Sequence, residues 1–390
     1  MSSPALTDAD AVRQVVNEYK KQGRQAFLAR YNFQPAKRFL LQHEGRLYDA
    51  KAIVNAAYQA QHGQPAPHII SGGRAHSNAL LEKLGFTVVD RRPTTVEGEL
   101  AWRLALWAHL EATQDLAAVP PQALREFDAY GGQQGIWVDS ARTSLIGLGQ
   151  IAVSFLHTGA DYPDDMTDDA ALYHYPTTRR LGERDQAEIN ATKTAANLKL
   201  PIFVISKPTP RSAVRGVQLA WVEGWEDQSK LFLVTYNQAA PERIIQDDRS
   251  DESAFVLSGN RSHQSRRNVR VRPGQPRFKL EVFQRYGPRC VLSGIAVPEM
   301  IEAAHLRPVA DEGSDDPRNG LPLNGALHRA FDAHLFAIEP ESLEVVTRPQ
   351  GPSLEELHIT VSNLKDLPRK PHHDALEWRY QEWRRRTGLN

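Results

Sequence analysis

Apolar side chains recur along the chain with different periods, and each period predicts a different kind of element. In residues 8–22 they recur at helical spacing, which predicts an amphipathic helix. Residues 38–63 predict two short strands that are joined at Glu44–Gly45 and followed by a helix. A helix that ends at Gly85 and a further strand complete this segment, and a broad apolar stripe over residues 96–113 predicts a long packed helix.

The second half of the chain alternates between short strands and single helices. Residues 120–246 predict a strand, a strand–loop–strand unit, one helix and three more strands, which together make a curved sheet or barrel crossed by one main helix. After a short helix that contains Phe278, a strand ends at His305, and a loop leads to the next strand at Leu321–Leu323. Asn324 is placed to cap the helix that follows.

Composition narrows the class of protein. A length of 390 residues suggests two or three domains, and 41% hydrophobic with 24% charged residues is ordinary for a soluble globular protein. The formal net charge is zero, so any affinity for nucleic acid must come from local patches. A single cysteine excludes an internal disulfide framework, and no apolar run approaches the roughly 18 residues of a membrane span. We therefore expect a cytoplasmic protein that does not enter a membrane.

Residues 302–332 hold the strongest candidates for catalysis, His305, Asn319 and His328, which the predicted strand, loop and helix bring together. Hydrolysis of a phosphodiester needs a base to deprotonate water, and a neutral imidazole suits that role near pH 7. It also needs a divalent cation to neutralise charge on the phosphate, and a second histidine can hold that cation. The asparagine amide can fix the orientation of the first imidazole.

This stretch resembles the HNH (ββα-metal) endonucleases through the motifs AAH-x-x-P, NGL-x-L and LH-x-x-FD. That form of the motif is common in modification-dependent restriction enzymes. The resemblance implies that His305 is the general base, Asn319 the orienting residue and His328 a metal ligand, with Mg²⁺ or Mn²⁺ as the cation.

The chain departs from the family pattern at one metal ligand. Many HNH enzymes carry an aspartate directly before the first histidine, where this chain has Ala304. Glu302 or Asp332 could take that role, and Asp332 follows His328 by one helical turn on the same face.

A second departure concerns structural zinc, which many family members hold between paired cysteines. The chain has only Cys290, and Asn324 and Leu327 stand where one such pair would be. We therefore expect no structural zinc and interpret Cys290 as a small buried hydrophobic residue.

An acidic loop flanked by tyrosines is the second candidate for chemistry. Aspartates are concentrated in residues 161–169, and Tyr162, Tyr173 and Tyr175 lie within or beside this loop. A carboxylate between aromatic rings suits a pocket for a flipped base, because the rings stack on the base and the carboxylate accepts from its exocyclic amine. Stacking is worth roughly 1–3 kcal/mol per base, which is comparable with the cost of unstacking.

This region resembles the SRA (SET- and RING-associated) domains. The motifs that carry the resemblance are Gly135–Ile136, GADYPDD, YHYP, and Asp185–Gln186 with Asn190. The resemblance implies that Tyr162 and Tyr175 stack on the base while Asp165 reads its Watson–Crick edge, with Tyr173 as the alternative to Tyr175. It also implies that the base is 5-methylcytosine or 5-hydroxymethylcytosine.

Two further segments bear on DNA binding. The motifs ARYNF, HEGRLYDAKAIVNAAY, SGGRA and LGFTVV resemble the head domain of McrA-like restriction endonucleases, for which we expect a structural or DNA-gripping role. Residues 261–289 carry many Arg and Lys residues against a single acid, which favours contact with phosphates. The arginines that we expect to contact DNA phosphates are Arg266, Arg267, Arg270 and Arg272.

The predicted fold class is an α+β multidomain chain. Its expected segments are a small α+β head over residues 1–92, a connecting helix over 93–119, an SRA-like (PUA-like) curved β-barrel reader over 120–246, a basic linker over 247–275 and a ββα-metal HNH nuclease over 276–390.

The resemblances together predict a modification-dependent (type IV) restriction endonuclease that reads modified cytosine in double-stranded DNA, by base flipping, and cuts with its HNH site. One HNH site cuts one strand, so double-strand cleavage predicts a homodimer or two binding events. Two alternatives stay open. Phosphorothioate DNA is a possible cue, because McrA-like enzymes with similar heads can carry a sulphur-binding module. A non-cleaving reader with a degenerate HNH domain is the other, and Ala304 favours it.

Overall fold

A computed structural model of the chain describes residues 5–132, 135–157, 167–177, 183–209, 211–236, 239–259 and 274–389. The chain divides into two compact units, of which the first comprises 1–160 and 178–220 and the second comprises 161–177 and 221–390. The helices are α1 Ala9–Gln22, α2 Arg24–Arg30, α3 Ala50–His62, α4 Ala79–Lys83, α5 Val96–Thr113, α6 Pro121–Arg125, α7 Ser140–Thr143, α8 Arg184–Asn197, α9 Gln275–Tyr286, α10 Gly325–Asp332 and α11 His373–Thr387. The strands are β1 Phe39–His43, β2 Arg46–Asp49, β3 Thr87–Asp90, β4 Ile136–Val138, β5 Ala152–His157, β6 Ala170–His174, β7 Ile202–Ser206, β8 Gly216–Glu226, β9 Leu231–Thr235, β10 Ile301–His305, β11 Gly320–Asn324, β12 Phe336–Ile338 and β13 Val345–Thr347. No helix of the described ranges has the length and apolar character needed to cross a membrane.

The N-terminal elements form as the hydrophobic pattern predicts. Asp8 caps α1 by accepting a hydrogen bond from the backbone N–H of Asp10 at 2.8 Å. Glu44 and Gly45 have φ of 47° and 70°, the left-handed geometry that a two-residue hairpin turn requires. The hairpin pairs with the third strand in the order β2-β1-β3, and α1 and α3 bury their apolar faces in one core.

The long helix α5 carries a buried ion network that its apolar stripe does not reveal. Glu99 is fully buried and pairs with both Arg103 and Arg142. Arg103 also donates to the carbonyl oxygens of Ala152 at 2.8 Å and Pro201 at 2.6 Å, which ties α5 to the ends of β5 and β7. Burial alone would raise the pKa of Glu99, but the two guanidinium groups outweigh it and lower the pKa.

The strands of the middle region follow the predicted order. In the first unit β4, β5, β7 and the beginning of β8 are hydrogen-bonded in that sequence, and β5 and β7 run parallel because α8 crosses between them. In the second unit the remainder of β8 pairs with β9, which pairs with β6. The six strands thus have the order β4-β5-β7-β8-β9-β6, and within the described residues no pairing joins β4 to β6. The α+β class is confirmed, whereas a barrel closed by hydrogen bonds is not observed in this part of the chain.

The C-terminal elements build the predicted ββα unit. The antiparallel strands β10 and β11 place His305 opposite Gly320, and a Cβ at Gly320 would lie 2.5 Å from the ring of Phe278. Asn324 caps α10 by accepting from the backbone N–H groups of Ala326 and Leu327, both at 3.0 Å. Helix α9 packs against this hairpin, because Phe278 and Val282 share its hydrophobic core.

Strands β6 and β9 share a hydrophobic core with the nuclease elements of the second unit. The core includes Leu172 of β6, Leu233 of β9 and Phe278 of α9, all buried. The start of the predicted linker is packed as well, because Asp248 is buried against Arg285 and Arg369. Composition predicts a linker for this segment, and the burial of Asp248 is not evident from the sequence because its two arginine partners lie far along the chain.

Candidate active site

His305 is the last residue of β10 and is held on two sides. Its ring stacks on Phe278 with centroids 3.7 Å apart and planes 12° apart. Its Nε2 atom lies 3.1 Å from Oδ1 of Asp315, and the side chain is only 13% exposed. A carboxylate at Nε2 favours the tautomer that is protonated there, which makes Nδ1 the basic nitrogen.

Asp315 is a site residue that sequence reasoning missed. It lies in the loop that joins β10 to β11, and no regular spacing relates it to His305. The only available signal was that a loop joining two motif residues is rich in carboxylates. Such loops are usually solvated, so the signal is weak.

The hydrogen bonds that the structure shows for the Asn319 side chain go to the loop between β10 and β11 and not to the imidazole of His305. It is fully buried, its Nδ2 donates to the carbonyl oxygens of Arg307 at 3.1 Å and Ser314 at 2.8 Å, and its Oδ1 accepts from the Arg307 N–H at 2.9 Å. These bonds hold the segment that carries Asp315. An orienting effect of Asn319 on His305 would therefore pass through this loop.

His328 lies between two carboxylates. Its Nδ1 is 2.6 Å from Oε2 of Glu302, and its Nε2 is 3.6 Å from Oδ2 of Asp332. The hydrogen bond with His328 is the main cause that lowers the pKa of Glu302. Ala304 is fully buried in the hydrophobic core and supplies no ligand. The two acids that could replace the family's aspartate, Glu302 and Asp332, both lie against His328.

The donors around His328 are of the kind that bind a divalent cation. No group of three or more His, Cys, Asp or Glu side chains within the described ranges is arranged as a complete metal site. One imidazole nitrogen and one carboxylate do converge, at Nε2 of His328 and Oδ2 of Asp332. These donors fit a cation such as Mg²⁺, which commonly takes one or two protein ligands and fills its other positions with water and phosphate. Glu302, on the other ring nitrogen, would orient the imidazole for that role.

A single cavity of about 260 Å³ brings these groups together. His305 and Asp315 line it from the strand and loop, and His328 and Asp332 line it from α10. Arg379 of α11 lines it as well, and sequence reasoning missed this residue. A base, two cation donors and a guanidinium around one cavity form an arrangement that can hydrolyse a phosphodiester.

The predicted base pocket is described only in part. Tyr162 and Asp165 lie outside the described residues. Tyr175 is buried, its ring packs on Phe232 at a centroid distance of 4.3 Å, and its hydroxyl donates to Asp227 at 2.8 Å. Burial and this hydrogen bond raise the pKa of the Tyr175 phenol, whereas Tyr173 in β6 is half-buried. The stacking roles therefore stay predictions.

The predicted phosphate contacts Arg266, Arg267, Arg270 and Arg272 also lie outside the described residues. Four basic residues of the same stretch are described, Arg277, Lys279, Arg285 and Arg289, and two of them form ion pairs. Arg277 contacts Glu223 at 2.6 Å, and Arg285 contacts Asp248 at 3.0 Å.

Glu281 on α9 is a largely buried acid close to the nuclease site. Burial raises its pKa to about 7. Glu223 and Asp316 act in the same direction, while Arg277 and Arg243 oppose them. Because the folded-state pKa lies above the value of about 4.3 for an unfolded chain, ionisation of Glu281 costs stability. That cost begins above the unfolded-state pKa and is complete above pH 7.

Replacing Glu281 with glutamine should therefore stabilise the protein above pH 7 and have little effect near pH 4. The expected gain at pH 8 is on the order of 1–3 kcal/mol in the free energy of unfolding, measured by denaturant titration at both pH values. The exposed residue Glu299 provides a matched control, because Glu299→Gln should leave the free energy of unfolding unchanged at both pH values. A Glu281→Gln variant that is less stable than the wild type at pH 8 would contradict this interpretation.

Comparison with protein families identifies two segments of the chain. Residues 5–90 match the ScoMcrA-like, N-terminal head domain, and residues 290–339 match an HNH endonuclease domain. No curated protein matches the chain.

Solved structures that resemble the chain include nucleases and DNA-binding domains. The modification-dependent TagI restriction endonuclease is 19% identical over 68% of this chain and 91% of its own, with a TM-score of 0.28. The type IV phosphorothioation-dependent restriction endonuclease ScoMcrA is 14% identical over 84% of this chain and 95% of its own, with a TM-score of 0.21. The SUVH5 SRA domain, solved with fully methylated CG DNA, is 18% identical over 32% of this chain and 92% of its own, with a TM-score of 0.21.

The matched HNH segment contains His305, Asn319 and His328. The chain therefore carries a ScoMcrA-like N-terminal head domain and an HNH endonuclease domain, and the predicted enzyme class, a DNA endonuclease, is confirmed.

Proposed function

We propose that the chain is a modification-dependent restriction endonuclease whose HNH site hydrolyses a DNA phosphodiester after the middle region has recognised modified cytosine. The observation that carries the nuclease half is one cavity that is lined by His305 with its partner Asp315 and by His328 with Asp332. A degenerate HNH domain is less favoured, because Glu302 and Asp332 supply acids at His328 although position 304 is alanine.

In the proposed reaction His305 takes a proton from a water molecule as the water oxygen attacks phosphorus. The bond from phosphorus to the leaving bridging oxygen breaks, and that oxygen takes up a proton from solvent. Asp315 stabilises the imidazolium that forms and holds the ring in place. His328 and Asp332 would hold Mg²⁺ or Mn²⁺, which supplies charge neutralisation on the phosphate and the leaving oxygen.

The reader half of the proposal is supported by the aromatic and acidic residues of the middle region. Tyr162 and either Tyr175 or Tyr173 would stack on a flipped base, and Asp165 would read its Watson–Crick edge. Tyr173 is the more accessible of the two alternatives, since Tyr175 is buried against Phe232. The base proposed is 5-methylcytosine or 5-hydroxymethylcytosine.

Double-stranded DNA is the proposed partner, with Arg266, Arg267, Arg270 and Arg272 as contacts to its phosphates. Each such contact adds to the salt dependence of binding, because phosphate neutralisation releases counterions. A homodimer is proposed for double-strand cleavage, since one HNH site cuts one strand at a time.

Phosphorothioate DNA is the second candidate cue. It is favoured by the match of residues 5–90 to the ScoMcrA-like head domain, because the ScoMcrA restriction endonuclease is phosphorothioation-dependent. A sulphur-binding site needs an apolar cavity and no flipped base, so this candidate assigns no role to Tyr162 or Asp165.

Binding to matched duplexes distinguishes the two cues. Full-length protein should bind duplexes with 5-methylcytosine or 5-hydroxymethylcytosine at least tenfold more tightly than unmodified, N6-methyladenine or phosphorothioate duplexes, which corresponds to about 1.4 kcal/mol. Asp165→Ala should remove that preference, while Asp168→Ala in the same acidic loop serves as the control. A preference for phosphorothioate that survives Asp165→Ala would overturn the modified-cytosine proposal and support the second candidate.

A further inference from the structure

The C-terminal helix α11 contributes an arginine to the nuclease cavity from outside the matched HNH segment. Helix α11 spans His373–Thr387, whereas the match ends at residue 339. Arg379 is only 3% exposed, yet it lines the cavity that His305 and His328 also line.

The guanidinium of Arg379 is fixed against the end of α10. It lies over the ring of Phe331 at 4.1 Å, and its Nη2 donates to the Phe331 carbonyl oxygen. The same atom lies 3.9 Å from Oδ1 of Asp332, the proposed cation ligand. Arg379 therefore contacts both the residue before that ligand and the ligand itself.

Asp332, Glu382 and Asp311 all favour the charge of Arg379, but within the described residues none of these carboxylates accepts a hydrogen bond from its guanidinium. Its Nε–H is buried and finds no hydrogen-bond acceptor within the described residues. Its carboxylate neighbour at 3.9 Å is beyond hydrogen-bonding distance, and Asp332 is itself half exposed. A buried donor without an acceptor is destabilising, and an anion in the adjoining cavity would compensate the charge.

A purely structural role would explain the bond to Phe331 but not the position of a buried cation at the wall of this cavity. A phosphodiester that is cut between His305 and His328 must occupy the same space and gains negative charge in its transition state. A planar guanidinium is suited to hold phosphate oxygens, because its donors form a rigid fork.

We propose that Arg379 is a phosphate-binding residue of the nuclease site, which holds a non-bridging oxygen of the scissile phosphate and keeps Asp332 in position. This inference rests on the proposed nuclease function. It gives α11 a residue that contacts the substrate, outside the matched HNH segment.

The test compares single-turnover nicking of a modified plasmid by full-length Arg379→Ala, Arg379→Lys and Arg385→Ala in Mg²⁺. Arg385 is the matched control, because it lies on the same helix, is 66% exposed and pairs with Glu382 at 2.6 Å. Arg379→Ala should nick about 100-fold more slowly at saturating enzyme while binding the DNA normally. Arg379→Lys keeps the charge but loses the forked donors of the guanidinium, so its nicking rate should lie between those of the wild type and Arg379→Ala. Arg385→Ala should nick at the wild-type rate.

Guanidinium ion at non-denaturing concentration supplies a readout that a structural role would not give. It should raise the nicking rate of Arg379→Ala at least tenfold and leave that of His305→Ala unchanged. If Arg379→Ala does not fold, a folded Arg379→Lys variant that nicks at the wild-type rate would overturn the assignment. Wild-type activity in Arg379→Ala, or lost activity that guanidinium does not restore, would overturn it as well. A wild-type protein that cuts no DNA would instead overturn the proposed function on which the inference rests.

Discussion

Replacing His305 with alanine should lower the rate of DNA nicking by about 10³-fold, because a positioned general base contributes 10²- to 10⁴-fold. Binding of modified duplexes should be unchanged, since the proposed reader pocket uses other residues. Asp315→Asn should lose less activity, because it weakens the hydrogen bond to His305 without removing the base. The measurement is single-turnover nicking of a supercoiled plasmid, with duplex binding determined in parallel.

Two controls separate loss of the base from loss of the fold. His373 of the same domain is exposed and pairs with Glu341 at 2.9 Å, so His373→Ala should retain full activity. His305 stacks on Phe278, so its removal opens a gap, and thermal unfolding should be recorded for each variant. A folded His305→Ala protein that nicks at the wild-type rate would exclude His305 as the base.

Replacing His328 with alanine should lower the rate of metal-dependent cleavage by roughly 10²- to 10³-fold, through a loss of several kcal/mol of transition-state stabilisation. Glu302→Gln should behave differently, because Glu302 contacts the ring nitrogen of His328 that faces away from Asp332. Loss of such a partner typically weakens metal affinity by 10- to 100-fold. Higher Mg²⁺ or Mn²⁺ concentrations should therefore restore the nicking rate of Glu302→Gln but not that of His328→Ala. Chelation of the metal should abolish nicking by the wild type.

Metal titrations of the nicking rate test this difference, and direct Mn²⁺ binding provides a readout that does not depend on activity. Glu377→Gln is a suitable acidic control, because Glu377 is a partly exposed residue of α11 whose carboxylate accepts from Gln381 and does not line the cavity. A Glu302→Gln titration that superimposes on that of the wild type would show that Glu302 does not orient a metal ligand.

Local features of the nuclease were predictable because they depend on neighbouring residues. The Asn324 cap, the strand that ends at His305 and the helix that carries His328 all follow from spacing and capping chemistry within a short stretch. The Glu44–Gly45 turn is predictable for the same reason, since two residues with positive φ close a hairpin.

Features that depend on tertiary contacts were not predictable. Arg379 reaches the cavity because α11 packs against the end of α10, and its spacing from His328 carries no periodic signal. Asp315 meets His305 only because Asn319 fixes the intervening loop. The hydrophobic pattern of α5 likewise conceals Glu99, whose two arginine partners keep it charged inside a core.

Expectations that fall outside the described residues stay predictions. The acidic loop contains Tyr162 and Asp165, and the basic stretch contains Arg266, Arg267, Arg270 and Arg272. Their roles depend on side chains that must meet a DNA ligand, so binding measurements on variants will test them more directly than geometry.

The most direct test of a modification-dependent nuclease is cleavage of two plasmids with one sequence, one carrying 5-methylcytosine and the other unmodified. With Mg²⁺ or Mn²⁺, the wild-type protein should cut the modified plasmid and leave the other supercoiled, and His305→Ala should cut neither. Equal cutting of both plasmids, or cutting of the modified plasmid by folded His305→Ala, would contradict the account.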